Sequence, residues 1–127
     1  MRRALILICT LTLFCFGTGT WMDRLQCRTA ESYLSRLAEV RSLILDSQME
    51  EAAQKQSFVH ALWQHDEQWM NCLISHHHTR AVSEAMLHLA TALEMRWTLE
   101  ALEAVDDAWA ALEEISESHV AKWSNVW

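Results

Sequence analysis

The pattern of apolar and polar positions divides the chain into one long uncharged segment followed by a series of amphipathic helices. After residue 22, apolar side chains recur at spacings of three and four, the period of a helix with one buried face. Polar interruptions occur at residues 46–47, at residues 75–79 and near Thr98. The pattern therefore predicts about four helices, with the polar run at 75–79 as the corner of a helical hairpin.

The first two helices are predicted from their stripes and from the turn between them. The first covers residues 23–45 and the second residues 48–74. Ser47 is the predicted N-cap of the second helix, and Glu50, three residues later, completes a capping box. The second helix is most apolar near the corner, where its stripe consists of Trp63, Trp69, Met70, Leu73 and Ile74.

The third and fourth helices follow the corner. The third is predicted over residues 79–96, and Thr98 is the predicted N-cap of the fourth. A short tail after Ser116 contains Trp123 and Trp127, and we predict that one of them folds back onto the helices because indoles are seldom left in water. The apolar stripe of the fourth helix consists of Leu99, Leu102, Val105, Trp109, Leu112 and Ile115.

Turn-forming residues are scarce, and this decides the fold class. The chain has no proline, and its two glycines, Gly17 and Gly19, both lie in the apolar N-terminal part. The remainder therefore lacks the residues that most often form β-hairpins. We predict an all-α fold, a small antiparallel bundle of about four helices arranged as two helical hairpins.

The N-terminal segment has the composition of an export signal or a membrane anchor. Arg2 and Arg3 precede residues 4–22, which contain no charged side chain. Nineteen uncharged residues come close to the roughly 20 that a membrane-spanning helix needs. We predict a retained anchor formed by residues 1–22, with residues 23–127 as an extracytoplasmic domain. The alternative is a signal that is cleaved beside Gly17 and Gly19, giving a secreted protein.

The net charge of the domain disfavours negatively charged partners. Two of the 10 basic residues are Arg2 and Arg3, so the rest of the chain has 8 basic and 17 acidic residues, a net charge of −9. Such a domain repels phosphate groups. We therefore predict that it binds neither nucleic acid nor anionic lipid, and that it meets the membrane only through residues 4–22.

Two cysteines are available to the folded domain. Cys9 and Cys15 lie inside the apolar segment, which leaves Cys27 and Cys72. Antiparallel pairing of the first two helices brings these two residues to similar heights, and an exported location permits a disulfide. We predict Cys27 and Cys72 as the candidate pair.

The corner holds the residues best suited to bind a metal. His76, His77 and His78 are consecutive, and imidazole is a common zinc ligand. Neighbouring positions on a helix diverge by about 100°, so three adjacent histidines do not converge on one ion. We predict no cofactor and no dedicated metal at the corner, with a metal site at His76, His77 and His78 as the alternative.

Two further residues carry reactive groups. Asp66 interrupts the apolar stripe of the second helix and is expected at the edge of the core, bonded to a neighbouring His or Arg. Cys72 lies near the histidines, where an imidazolium can activate a thiol, but a core or disulfide cysteine is the expected role. The sequence offers no glycine-rich phosphate loop and no clear acid–base pair, so we predict that the protein is not an enzyme.

The chain resembles domain-of-unknown-function family 4363 over nearly its whole length. The resemblance rests on the basic and apolar N-terminus, on Trp63 and Trp69, on the run LISHHHTRAVSEAMLHL at residues 73–89, and on the ending LEEISESHVAKWSNVW. It implies a small, N-terminally anchored, all-helical protein of Gram-positive bacteria. The family corner usually carries acidic residues where this chain has Ser75, His78 and Arg80, so a role of those acids does not transfer.

These observations favour a binding protein over a catalyst. We expect a membrane-tethered or secreted helical module that binds another protein, whose identity the sequence does not reveal. A metal-binding or metal-sensing extracytoplasmic protein that uses the His-rich corner is the alternative.

Overall fold

Four long helices make up the protein in its computed structural model, which describes residues 1–126, and the side chains of these residues except Leu73 and 118–126. The helices are α1 (Arg2–Leu45), α2 (Met49–Leu73), α3 (His76–Glu94) and α4 (Thr98–Val126). The described residues contain no β-strand. The predicted all-α fold of about four helices is confirmed.

The helices form an antiparallel bundle in which each one packs against two neighbours. α1 and α3 each contact both α2 and α4. Cross-helix contacts establish the antiparallel direction. Tyr33 and Glu39 of α1 meet Asp66 and Lys55 of α2, respectively. Cys27 and Arg41 of α1 meet Ser116 and Asp106 of α4, respectively. One apolar core lies between the helices, and its largest fully buried side chains are those of Trp63, Leu37, Ile44, Met70, Met86, Leu89, Leu112 and Ile115.

Two of the three turns are Schellman motifs built on residues with a left-handed backbone. Ser47 has a φ of 61°, and its N–H donates to the Ile44 carbonyl while that of Gln48 donates to Leu43. Gln48, not Ser47, is the N-cap of α2, and its side chain makes no cap bond. The predicted capping box is therefore wrong, because Ser47 ends α1 instead of starting α2.

The turn before α4 repeats this geometry. Arg96 has a φ of 60°, its N–H donates to Leu93, and the Trp97 N–H donates to Ala92. The Trp97 carbonyl then accepts from Ala101 in the first turn of α4. Thr98 is the first residue of α4, so its predicted role as N-cap is also wrong.

The corner between α2 and α3 is tighter than predicted. α3 begins at His76, three residues before the predicted start, because the Ser75 side chain caps it by accepting from the His77 N–H at 3.4 Å. Ile74 is extended, with φ −120° and ψ 153°, and separates the two helices. The three histidines therefore form the first turn of α3.

The apolar N-terminal segment and the first bundle helix form one uninterrupted helix, α1, of 44 residues. The first buried residue of α1 is Gln26, and the part before it projects beyond the bundle with its large apolar side chains exposed. α1 is long and apolar enough to cross a membrane, with a mean hydropathy of 1.8 in its most apolar window. The proposed division at residues 22 and 23 falls inside this helix and stays a prediction.

The buried face of α4 is rotated away from the predicted stripe. Val105, Leu112 and Ile115 are buried as predicted, but Leu99 is 67% exposed. Leu102 and Trp109 are only partly buried. Alanines occupy the interior instead, because small side chains let neighbouring backbones approach closely: Ala101, Ala104, Ala108 and Ala111. The side chains of Trp123 and Trp127 lie outside the described residues, so their predicted packing stays a prediction.

Candidate functional site

The corner and the helix ends beside it are held by short polar contacts. Thr79 is buried, and its hydroxyl donates to the Asn71 side-chain oxygen at 2.5 Å, joining α3 to α2. Two turns further along α3, the Gln56 amide of α2 donates to the Met86 carbonyl at 3.0 Å. These bonds satisfy buried polar groups and fix the register of the two helices.

The three adjacent histidines point in different directions. His76 and His77 are exposed, whereas His78 is partly buried and turns toward α4. There its Nδ1 lies 3.7 Å from Oε2 of Glu114, and it has no hydrogen-bond partner. The rings of His77 and His78 have centroids 5.7 Å apart and planes inclined by 61°. One histidine therefore serves the α3–α4 contact, and two face solvent.

A groove runs along α2 and α3 beside these histidines. Its volume is about 750 Å³. Basic, acidic and amide groups share its walls, so both hydrogen-bond donors and acceptors are offered to a ligand. The polar lining consists of Glu67, Asn71, His76, His77, Thr79, Arg80, Ser83 and Glu84. This is a mixed polar surface with no single charge preference.

A chain of hydrogen bonds leads from the groove into the core. The indole N–H of fully buried Trp63 donates to Ser83 Oγ at 2.8 Å, and the Ser83 hydroxyl donates to Glu67 Oε1 at 2.9 Å. The polar end of a core tryptophan is thus satisfied without reaching water. Glu67 and Ser83 therefore act together as a support for the core.

Asp66 joins two aromatic residues from two helices. Its Oδ2 accepts from the Tyr33 hydroxyl at 2.6 Å, and its Oδ1 accepts from the Trp69 indole at 3.1 Å. The Tyr33 ring also meets Trp63 edge to face, with centroids 5.3 Å apart. The expectation of a paired acid is met, but the partners are aromatic and not His or Arg.

The setting of Tyr33 raises its pKa above the ordinary value of 10.0. Burial is the largest cause, and the hydrogen bond to Asp66 and the charge of that residue add to it. Because the folded pKa exceeds the unfolded one, the unfolded chain loses the proton first as the pH rises. The contribution to stability is therefore complete below pH 10 and declines above it.

Tyr33 is the only tyrosine in the sequence, so its titration can be followed directly. We expect no phenolate absorbance at 295 nm near pH 10 in the native protein, and a normal titration near pH 10 in urea. In Asp66→Asn the native pKa should fall toward 10, because one carboxylate charge is removed. A native tyrosine that ionises at the same pH as the unfolded one would contradict the structure.

The cysteines are free thiols in this structure. The Cys27 thiol donates to the Ser116 carbonyl of α4 at 3.9 Å, and Cys72 is exposed and donates to Gln68 of its own helix at 3.7 Å. Cys27 is thus directed to α4 and not to α2, and the pairing of Cys27 with Cys72 stays a prediction. In both of these hydrogen bonds the thiol donates to a backbone carbonyl and not to a histidine.

The prediction about metal is open to a direct measurement. Among the described residues, no group of three or more His, Cys, Asp or Glu side chains is arranged to hold a metal ion. We expect the untagged, dialysed protein to contain well under one equivalent of zinc, and its melting temperature to be unchanged by chelator. One equivalent of zinc together with a chelation-sensitive fold, both lost in His76→Ala or His78→Ala, would establish a metal site instead.

Comparison with known protein families identifies the family of this chain. The model of the family described as a domain of unknown function (DUF4363) matches residues 21–126. The chain belongs to this family. The match confirms the resemblance drawn from the tryptophans, the corner and the ending of the sequence. No curated protein and no solved structure matches the chain, so no reaction or ligand can be transferred to this DUF4363 protein.

Sequence reasoning missed the aromatic partners of Asp66 and the role of Ser83. Tyr33 lies at helical spacing between Ala30 and Leu37 and therefore on the buried face of α1. This position could have indicated from the sequence that the Tyr33 hydroxyl is buried and needs a hydrogen-bond partner. Its pairing with Asp66 depends on the register of α1 against α2, which the sequence does not reveal.

Proposed function

We propose that this DUF4363 protein is a membrane-tethered, non-catalytic module whose helical bundle binds another protein outside the cytoplasm. The observation that carries the proposal is the unbroken course of α1 from Arg2 to Leu45. One end of this helix forms a wall of the bundle, and the other is apolar and unburied. A rigid helix of this kind holds a domain at a set height above a membrane.

The chemistry of the apolar end supports a bilayer environment. Residues 4–22 contain no charge and extend over about 28 Å as a helix, close to the thickness of a hydrocarbon core. The hydroxyls of its four threonines each donate to the carbonyl four residues earlier: Thr10 to Ile6, Thr12 to Ile8, Thr18 to Phe14 and Thr20 to Phe16. Each of these threonine hydroxyls is therefore hydrogen-bonded within the helix and needs no partner from the lipid.

The orientation follows from the flanking residues. Arg2 and Arg3 precede the apolar stretch, and basic residues are retained on the cytoplasmic side. Trp21, which is exposed, lies at the other end, where an indole suits the interface between lipid and water. The bundle is then outside, as a single-span protein with its C-terminal domain exported.

A binding role is supported by the exposed apolar side chains of the bundle. Phe58 of α2 and Trp97 of the turn before α4 are each more than half exposed. Aromatic and large aliphatic side chains of this kind supply most of the binding energy at protein interfaces. With its acidic surface, the bundle is suited to a partner that carries the opposite charge.

The topology can be tested with the native thiol of Cys72, which is exposed on α2. We would express the full chain with Cys9, Cys15 and Cys27 replaced by serine and treat intact cells with a membrane-impermeant maleimide. The proposal predicts that Cys72 is labelled without lysis and that the labelled chain stays in the membrane fraction. A matched chain that keeps only Cys15 should react only after detergent is added.

Two results would contradict a bundle tethered outside the cytoplasm. Labelling of Cys72 only after lysis would place the bundle in the cytoplasm. A mature protein in the medium that begins near Thr20 would establish a cleaved signal.

Partner binding needs a separate measurement. Photo-leucine incorporated in growing cells should cross-link the chain to a different polypeptide, seen as a product that contains both proteins. Only the monomer, or only multiples of 14.7 kDa, would contradict a role in binding another protein.

A further inference from the structure

The end of the bundle farthest from the apolar segment brings two turns together. We call residues 45–51 and 94–100 the distal end. Arg96 of the second turn lies 3.6 Å from Glu50, at the start of α2. Both turns also line one depression of about 360 Å³. The distal end lies about 35 Å along α1 from Met22, so it faces away from the membrane in the proposed orientation.

Four large apolar side chains are exposed at this end. Leu45, Met95, Trp97 and Leu99 are each more than half exposed. Contacts of Cys27 with Ser116 and of Arg41 with Asp106 set the register of α1 against α4. This register places Leu45 level with about residue 100, so the apolar residues of the two turns lie at one height.

The backbone of Trp97 is fixed although its indole is half exposed. Its N–H donates to Ala92 at 2.9 Å, and its carbonyl accepts from Ala101 at 2.9 Å. In a Schellman turn, the residue in the place of Trp97 commonly packs on the residue in the place of Ala92. The single methyl group of Ala92 cannot cover an indole. Trp97 is therefore held in position yet available to a partner, as an interface anchor needs to be.

The same two turns are rich in acidic side chains. The distal end has five acidic residues and only Arg96 as a basic one, a net charge of −4. All five are exposed: Asp46, Glu50, Glu51, Glu94 and Glu100. A partner with basic residues around an apolar strip would match both the charge and the apolar centre.

Helix stability explains only some of these acids. Glu50, Glu51 and Glu100 lie in first turns, where negative charge favours the helix dipole. Asp46 caps the C-terminus of α1, and Glu94 is the last residue of α3. At both positions a negative charge interacts unfavourably with the helix dipole. Neither helix has a basic residue in its last turn. These two acids are placed at a cost to the helices, as expected for residues that serve a partner.

We propose that the distal end is a docking surface for a basic amphipathic segment of another protein, with Trp97 and Leu99 as its apolar anchors. This proposal rests on the proposed function and names the surface and the chemistry of the partner. The charge of −4 argues against a second copy as the occupant, because two such ends would repel each other. It equally disfavours an anionic lipid surface.

The test uses the full chain in nanodiscs of zwitterionic lipid, with empty nanodiscs as the blank. The probe is a fluorescent helical peptide of about 18 residues, made of leucine and lysine with the leucines at three-and-four spacing. The same peptide with glutamate in place of lysine is the charge control. We expect the lysine peptide to bind, to weaken as salt is raised, and to bind far better than the glutamate peptide.

Matched variants locate the binding site. Trp97→Ala and Leu99→Ala should each weaken binding by about tenfold or more. Leu87→Ala, the same change at a comparably exposed leucine in the middle of α3, should have no effect. Asp46→Asn with Glu94→Gln should weaken binding while raising the melting temperature, which separates a lost contact from a damaged fold.

Several results would overturn the proposal. The first is equal binding of the lysine and glutamate peptides, and the second is a loss of peptide binding in Leu87→Ala as large as in Trp97→Ala or Leu99→Ala. The other two are self-association of the protein that depends on Leu99 and binding to lipid vesicles that depends on Trp97. The last two would assign the surface to a second copy or to the membrane. If Cys72 is labelled from outside and the peptide fails to bind, only the docking surface is wrong. If the peptide binds as expected but Cys72 is labelled only after lysis, only the proposed location outside the cytoplasm is wrong.

Discussion

Replacing Trp63 with alanine is expected to lower the free energy of unfolding by about 3–5 kcal/mol. The Trp63 side chain has no exposed surface, touches the Tyr33 ring edge to face, and donates its indole N–H to Ser83. Alanine would leave a cavity where α1, α2 and α3 meet. Because a domain of this size has a total stability of roughly 5–15 kcal/mol, a large part of it would be lost. Urea unfolding followed by far-UV circular dichroism measures the change.

Two further variants give this prediction its controls. Trp97→Ala removes the same side chain from a half-exposed turn position and should cost less than about 1 kcal/mol. Trp63→Phe keeps most of the ring but removes the donor to Ser83, so an intermediate loss of about 1–2 kcal/mol is expected. Equal losses in Trp63→Ala and Trp97→Ala would show that Trp63 is not the centre of the core.

The number and approximate extent of the helices were predictable because amphipathic periodicity is a local property. Ser47 and Thr98 were assigned to the wrong positions because serine and threonine are the usual N-cap residues. Here, however, Ser47 and Arg96 end helices in the left-handed conformation, which glycine most often adopts. No glycine occurs at either turn, so the usual signal of a Schellman motif is absent from the sequence.

The polar supports of the core were less predictable, because each depends on contacts between residues far apart in sequence. Tyr33 and Asp66 are 33 positions apart, and Trp63 and Ser83 are 20 apart. Asp66 was recognised as a charge within an apolar stripe, which indicates a paired acid. Its partners could be identified only once the register of α1 and α2 was known.

The N-terminal apolar segment and the first helix of the bundle are continuous in α1. Composition alone left a retained anchor and a cleaved signal as alternatives, since both begin with basic residues and an apolar run. Gly17 and Gly19 disfavour a helix intrinsically, yet α1 passes through both without a break. Cleavage beside Gly17 or Gly19 would therefore cut within α1, and the retained anchor stays a proposal that the labelling of Cys72 tests.

The face of α4 leads to the last prediction. Large apolar residues dominated the sequence pattern, whereas the structure buries the alanines between them. Which face of a helix is buried depends on how closely its neighbour approaches, and α4 packs against both α3 and α1. The large side chains of Leu99 and Trp109 contribute to the apolar pattern of the sequence. They are too large to lie where α4 packs closely against α1 and α3. The alanines are therefore expected to tolerate no increase in size.

Ala108→Leu is accordingly expected to lower the free energy of unfolding by about 1–3 kcal/mol, because the added carbons enter a filled core. Ala108 has no exposed surface. Ala110, two residues further along α4, is exposed, and Ala110→Leu should change stability by less than about 0.5 kcal/mol. Both substitutions have similar helix propensity, so the difference between them reports packing alone. Thermal unfolding of the two variants beside the parent protein measures it, and equal stabilities would mean that Ala108 does not lie on the buried face of α4.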